Sequence, residues 1–309
     1  MKRFILSLIV FFILLGSIGE IVIRVFRLSS DIPERVIDEF GIQRFKLGQS
    51  GYYKKAKQKW NVNKFGWMGT SDTSKDTLIT IIGDSFIENI MNPIECNQGS
   101  ILNNLFPNIS FFEAGRSGVT FIEAMEITKV LNIEVEPKYQ LIYLNPTDLP
   151  ESILEVQLYS DRLQISIEKN EIQTSQIKSP GLKKILYNIK LLYYLYSKYP
   201  ILVDKQNKGE IDYDFSEREK ANYTLFHKFF SYLKINYRLD NLLFVLHPDM
   251  DKEIVSLMKE YNLKIILLDS KGDKKWEIGN GDSHWSCYGH SRVSKQVRAF
   301  IKKKIIQIK

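Results

Sequence analysis

Metal-ligating side chains are scarce in this chain. Its 309 residues hold four histidines and two cysteines, which form no recognisable ligand cluster, so a zinc centre is not indicated. No internal repeat is visible, which argues against solenoids and propellers. There is no arginine-rich patch with interleaved aromatics. The net charge of +7 comes mainly from dispersed lysines and from Lys302-Lys303-Lys304. A basic balance of that kind points away from nucleic acid and fits an anionic polymer or a membrane surface equally well.

What the chain does have is one long hydrophobic run, at its beginning. Lys2-Arg3 precede an apolar stretch from Phe4 to Leu15, in which Ser7 is the one polar residue, followed by Gly16-Ser17-Ile18-Gly19-Glu20 and then Ile21-Val22-Ile23-Arg24-Val25-Phe26. Residues 1–28 read either as a signal peptide, with small residues at Ser17 and Gly19 for cleavage, or as a signal anchor continuing to Phe26. Apolar character resumes after Gly19, which favours the anchor. Glu20 and Arg24, four apart on one helical face, are then expected near the outer interface. Either reading places the rest of the chain outside the cytoplasm, periplasmic, at the cell surface, or secreted if the segment is cleaved.

A second signal follows a polar stretch, residues 29–74, expected to pack on the core as an N-terminal extension. Leu78-Ile79-Thr80-Ile81-Ile82 is short, apolar and β-branched, as in a strand buried on both faces. It ends in Gly83-Asp84-Ser85. A serine at the C-terminal end of a central parallel strand sits where open α/β sheets place their ligands. A nucleophilic serine needs a neutral imidazole to take its proton, and that imidazole needs a carboxylate to fix its tautomer. Near the other end of the chain, Gly281-Asp282-Ser283-His284 supplies such a pair two residues apart, before Gly289-His290 and a final helix. His247-Pro248-Asp249, after the strand Leu242–Leu246, makes His247 a rival base to His284.

Gly83-Asp84-Ser85 with the late Asp282-x-His284 resembles the SGNH (GDSL-type) hydrolases, and in particular their membrane-anchored bacterial members, over about residues 75–309. The resemblance implies a three-layer α/β/α, flavodoxin-like domain with a mostly parallel sheet of about five strands and an insertion at about 151–215. Strands are expected at Ile109–Phe112, Gln140–Leu144 and Lys264–Leu268, with a hairpin turning at Lys169-Asn170 and one helix from Pro180 to Tyr199. The resemblance also implies Ser85 as nucleophile, His284 as base, Asp282 as its orienter, and an oxyanion hole made by the Ser85 amide, by Gly115 and by a third donor. The family pattern for that donor is Gly-x-Asn-Asp. Here Asn145-Pro146-Thr147-Asp148 departs from it, so either Thr147 or Asn145 takes the place.

The expected activity is hydrolysis of O-acyl, above all O-acetyl, esters without a cofactor. An envelope or secreted polysaccharide as substrate follows from the expected location and from similar anchored proteins, not from any residue. Two alternatives share the same residues: an O-acetyltransferase or accessory subunit working with polysaccharide-assembly partners, and a glycan-binding scaffold whose oxyanion hole has decayed. Export permits a bond between Cys96 and Cys287, but residue spacing carries no distance, and two unpaired half-buried thiols are the expectation.

Overall fold

The computed structural model describes residues 1–199, 215–279 and 281–304. In chain order it begins with helix α1 (Lys2–Val25) and two antiparallel pairs, β1 (Arg35–Ile37) with β2 (Gln43–Phe45) and β3 (Ser50–Tyr53) with β4 (Gln58–Asn61). Then come β5 (Thr77–Gly83), α2 (Ser85–Glu88), α3 (Gln98–Leu105), β6 (Ile109–Gly115), α4 (Phe121–Glu134), β7 (Tyr139–Leu144) and α5 (Asp148–Ser152). The hairpin β8 (Gln164–Ser166) and β9 (Glu171–Gln173) leads to α6 (Pro180–Asn188) and α7 (Lys190–Lys198). The chain closes with α8 (Phe215–Asn236), β10 (Leu242–Leu246), α9 (Lys252–Glu260), β11 (Ile265–Leu267), the pair β12 (Glu277–Gly279) and β13 (Asp282–Trp285), and α10 (Cys287–Lys304).

Five strands form one sheet in the order β11-β10-β7-β5-β6, and every pairing within it is parallel. Side chains of a strand alternate between faces, so each apolar run feeds two cores. Leu78, Ile82, Ile142 and Phe244 join Phe121 and Met125 of α4, Phe229 of α8 and Leu257 of α9 on one face. Ile79, Ile81, Leu141 and Val245 join Leu102 of α3 and Val293, Val297 and Ile301 of α10 on the other. Each such side chain, fully withdrawn from water, contributes roughly 1.5–3 kcal/mol. The result is the expected three-layer α/β/α arrangement in the doubly wound order 2-1-3-4-5, with its switch point between β5 and β7.

The free edge of β6 is covered rather than left open to pairing. Met68 and Ser71 bridge to Gly115 and Phe112 in antiparallel register, and Glu113 N–H donates to the Thr70 carbonyl at 2.8 Å. The Glu113 carboxylate is fully buried and accepts from Gly99 N at 2.8 Å and Thr70 N at 2.9 Å. Burial outweighs these two bonds and pushes its pKa up to about 7.

One helix reads differently from the sequence. The stretch from Pro180 onward is two helices, broken at Ile189, whose φ of −96° and ψ of 97° are extended rather than helical. In the sequence Ser216 and Glu219 have the spacing of a capping box that would open a helix, and their side chains lie outside the described residues.

A pH dependence follows from the side of the sheet that carries α3 and α10. His290 is buried, its Nδ1 lies 3.0 Å from Gln98 Nε2, and its ring packs edge-on against Trp285. Burial, then the neighbouring His284 charge, push its pKa down to about 3. The unfolded chain therefore takes up a proton below about 6.5 that the folded chain refuses, and this part of the stability is lost as pH falls toward 3. The variant His290→Gln is expected to lose packing at pH 7 but to gain on the wild type by up to about 1.4 kcal/mol per pH unit below 6.5. Urea unfolding at several pH values measures it, and parallel profiles for the two proteins would contradict it.

Candidate active site

The switch point puts the ends of β5 and β7 side by side, and both carry polar loops. After β5 the chain turns at Asp84, whose carboxylate accepts from Phe86 N at 3.0 Å and so caps α2. Ser85 opens that helix. The N–H groups of Ile87 and Glu88 donate to the Asp84 carbonyl, whereas the Ser85 N–H has no acceptor among the described residues. The hydroxyl of Ser85 faces β13: its Oγ lies 2.8 Å from His284 Nε2. His284 Nδ1 lies 2.7 Å from Asp282 Oδ1 on the same strand. A carboxylate only accepts, so Nδ1 carries the proton and Nε2 is free to accept the serine's. Burial would raise the Asp282 pKa, but the bonds from the His284 ring and backbone and its charge hold it below the usual carboxylate range.

The histidine is held from several sides. Phe86 lies against it with ring centroids 5.0 Å apart, and against Trp285 at 4.8 Å. The Trp285 carbonyl accepts from Asn92 Nδ2 at 2.8 Å, and Cys287, two residues on, is bonded to Cys96. The expectation of two unpaired thiols is thus corrected: the turn after α2 and the start of α10 meet across the site. His247 stacks parallel to Trp285 at 5.7 Å and accepts from Asp249 N at 3.2 Å through Nδ1, with no bond to Ser85. Tyr53 of β3 packs on the cluster of Phe45, Trp60, Val62 and Met68, and burial, then the Asp282 and Glu88 charges, raise its pKa.

The oxyanion donors are where sequence and structure part. Gly115 lies inside the sheet, bridged to Gly83 on one side and Met68 on the other, so its backbone belongs to the ladder. A Cβ there would stand 2.6 Å from the carbonyl carbon of Ile87. Its glycine serves the close packing of α2 on β6, not an exposed donor. Gly115→Ala is expected to push α2 off the sheet and cost about 1–3 kcal/mol, read as a lowered urea midpoint with reduced turnover; an unchanged midpoint would contradict it.

Gly118, three residues on, has the missing properties. It is half-buried at φ 81°, and its N–H has no acceptor among the described residues. Its loop is tied beside the serine's turn: Arg116 N donates to the Gly83 carbonyl at 3.1 Å, Ser117 Oγ to Glu88 Oε2 at 2.6 Å. The fully buried pair of Arg116 with Glu123, 2.5 Å apart, fixes the loop from below. The strand's apolar phase ends at Ala114, and Ser117-Gly118 is the turn pair beyond it, which is the signal available in the sequence.

Of the two candidates after β7, Asn145 faces the site. Its Nδ2 donates to Asp84 Oδ2 at 2.6 Å, the same oxygen that stands 3.5 Å from Ser85 Oγ. One amide proton is used there and the second remains. Thr147 instead donates to Asn145 Oδ1 through both N–H and hydroxyl, at 2.7 and 2.9 Å, and is exposed. It orients the amide and does not replace it. Beneath, burial raises the Asp84 pKa, partly countered by Phe86 N–H and the Asn145 amide. Burial and the neighbouring Asp84 raise that of Asp148, which accepts from Asn145 N at 2.8 Å. Among the described residues no group of His, Cys, Asp and Glu forms a metal site.

A doubly wound sheet with serine, histidine and aspartate joined in line at its switch point is an arrangement suited to nucleophilic acyl chemistry. No family model matches the sequence, and no curated protein matches it. Solved structures do superpose on it. A psychrotrophic esterase from a Pseudoalteromonas species is 13% identical, with 74% of this chain and 98% of that one covered and a TM-score of 0.38. A lipase/acylhydrolase from Enterococcus faecalis is 12% identical over 74% and 96%, with a TM-score of 0.39. A member of the lipolytic G-D-S-L family from Veillonella parvula is 11% identical over 74% and 99%, with a TM-score of 0.33. At this degree of likeness no activity carries over from them to this chain.

Proposed function

We propose that the protein is a serine esterase of the SGNH type, hydrolysing O-acyl esters outside the cytoplasm while anchored by α1. The observation that carries this reading is the continuous relay from Ser85 Oγ through the His284 ring to Asp282, with both hydrogen bonds at 2.8 and 2.7 Å. Ser85 Oγ attacks the ester carbonyl carbon as its proton passes to His284 Nε2. Asp282 stabilises the imidazolium. The Ser85 and Gly118 N–H groups and the second Asn145 amide proton meet the oxyanion. Collapse expels the alcohol, which takes its proton from His284 and leaves an acyl-serine. Water then attacks the acyl-serine with His284 as base, releasing the acid and restoring the serine.

The Cys96–Cys287 bond supports an oxidising compartment, and α1 supports attachment to its membrane. Acetyl esters of an envelope or secreted polysaccharide are the substrate class this location favours. The Asn145 amide beside Asp84 speaks against a decayed oxyanion hole. Full-length protein in detergent should hydrolyse p-nitrophenyl acetate and release acetate from an O-acetylated polysaccharide. Turnover of p-nitrophenyl acetate no faster than that of Ser85→Ala would sink the esterase reading. Turnover of the small ester without release from any glycan would sink the polysaccharide part alone.

A further inference from the structure

The anchor helix does not leave the domain freely; it is clamped to the helical part of the insertion. Glu20 of α1 accepts from the first two N–H groups of α7, Lys190 N at 2.9 Å and Leu191 N at 2.7 Å. Arg24 pairs with Glu20 at 2.7 Å and donates to the Asn188 carbonyl at 2.7 Å, which satisfies the end of α6. Gly19 lets the Leu191 side chain approach to within 3.2 Å of where a Cβ would stand. The break at Ile189 is therefore seated on the outer end of the anchor.

That seat fixes a depth. At ~1.5 Å per residue, the stretch from Phe4 to Ile23 spans about 30 Å, the thickness of a hydrocarbon core. Residues 19–24 then lie at the outer boundary, where α6 ends and α7 begins. The helix pair is bound to the domain through Lys190, which pairs with Asp31 at 2.7 Å, and the two helices hold each other where Tyr187 of α6 packs edge-on against Tyr193 of α7 at 5.7 Å. Another surface of the pair is bare and apolar. Leu182 and Ile185 of α6, Ile189 at the break, Leu192 and Tyr196 of α7 and Tyr199 just beyond it are all exposed, Leu182 and Tyr199 by 67% and 64%, with the three- or four-residue spacing of an apolar face within each helix. Lys178, Lys183, Lys184 and Lys198 flank this stripe. An apolar stripe with lysines beside it, held at the level of a bilayer's boundary, has the make-up of an interfacial helix.

We infer that α6 and α7 lie in the outer membrane–water interface with this stripe buried in lipid, so that the domain is held against the bilayer by two elements and not by a single tether. The occupant is lipid because Glu20 and Arg24 clamp the helix pair to the outer end of α1, whose apolar stretch the protein leaves unburied and long enough to cross a bilayer. The tyrosines at 196 and 199 then sit at headgroup level, where amphipathic rings are favoured. The inference rests on the reading above that α1 stays uncleaved.

The two native cysteines are bonded to each other, so one added thiol can carry an environment-sensitive fluorophore. The full chain is reconstituted in vesicles of phosphatidylethanolamine and phosphatidylglycerol, labelled singly at Leu192→Cys, Tyr199→Cys, Ile9→Cys or, as an aqueous control, Ile235→Cys. Labels at 192 and 199 are expected to shift to the blue, to be quenched by lipids with a shallow nitroxide, and to resist aqueous iodide, while the label at 235 behaves in the opposite way. A lipid-embedded label at 9 with iodide-accessible labels at 192 and 199 would overturn the inference and leave the anchor standing. An aqueous label at 9 would overturn both. Shielding from iodide without quenching by lipid nitroxide would overturn it in favour of a second copy of the chain on this face.

Discussion

His284→Ala is expected to lower turnover of p-nitrophenyl acetate by on the order of 10⁴–10⁶-fold, with the fold intact by circular dichroism. The size follows from the role: without the ring, the 2.8 Å bond to Ser85 Oγ is gone and the hydroxyl has no acceptor for its proton except the long contact to Asp84. Asp282→Asn should cost about 10⁴-fold, because an amide at that place favours the wrong tautomer of the ring. Asn145→Ala should cost about 10²–10³-fold if its free amide proton meets the oxyanion. Thr147→Val removes only an orienting bond worth about 1 kcal/mol, so a loss of roughly fivefold is expected. The order of these four losses is the diagnostic. A larger loss in Thr147→Val than in Asn145→Ala would reverse the assignment of the third donor.

The second large effect is expected on stability. The Cys96–Cys287 bond closes a loop with a sequence separation of 191, which takes in all five sheet strands except β5. A bridge over so long a stretch removes much of the unfolded chain's freedom, and its loss typically costs about 2–5 kcal/mol. Changing both cysteines to serine, or adding reductant, should therefore lower the urea midpoint of the isolated protein by a corresponding amount. Activity should fall as well, before unfolding. The bond ties the start of α10, two residues beyond Trp285, to the segment after α2, and these adjoin the elements that carry His284 and Ser85 respectively. A midpoint indifferent to reductant would contradict this.

Much of the fold was legible because its signals are local. The apolar β-branched run before Gly83, the Asp282-x-His284 spacing and the run from Phe4 each carry their meaning within a dozen residues. The strands and the central serine follow from them. What was not legible depends on contacts across the chain. No spacing reveals that residues 96 and 287 lie with Cα atoms 5.1 Å apart. Gly115 and Gly118 both follow the apolar run of one strand, and only the bridges to Gly83 and Met68 show which one the sheet consumes. Asn145 and Thr147 were equivalent until Asp84 supplied a partner for one of them. The break at Ile189 has no proline or glycine to announce it. Glu20 and Arg24 meet both of its ends.

The measurement that tests the central claim most directly is covalent capture of the nucleophile. A fluorophosphonate loses fluoride as an activated serine oxygen bonds to phosphorus, and mass spectrometry of the digested full-length protein locates the adduct. A single adduct at Ser85, absent from Ser85→Ala and formed far more slowly in His284→Ala, is the predicted result. Wild-type protein that stays unmodified at Ser85, or reacts there no faster than His284→Ala, would contradict the account.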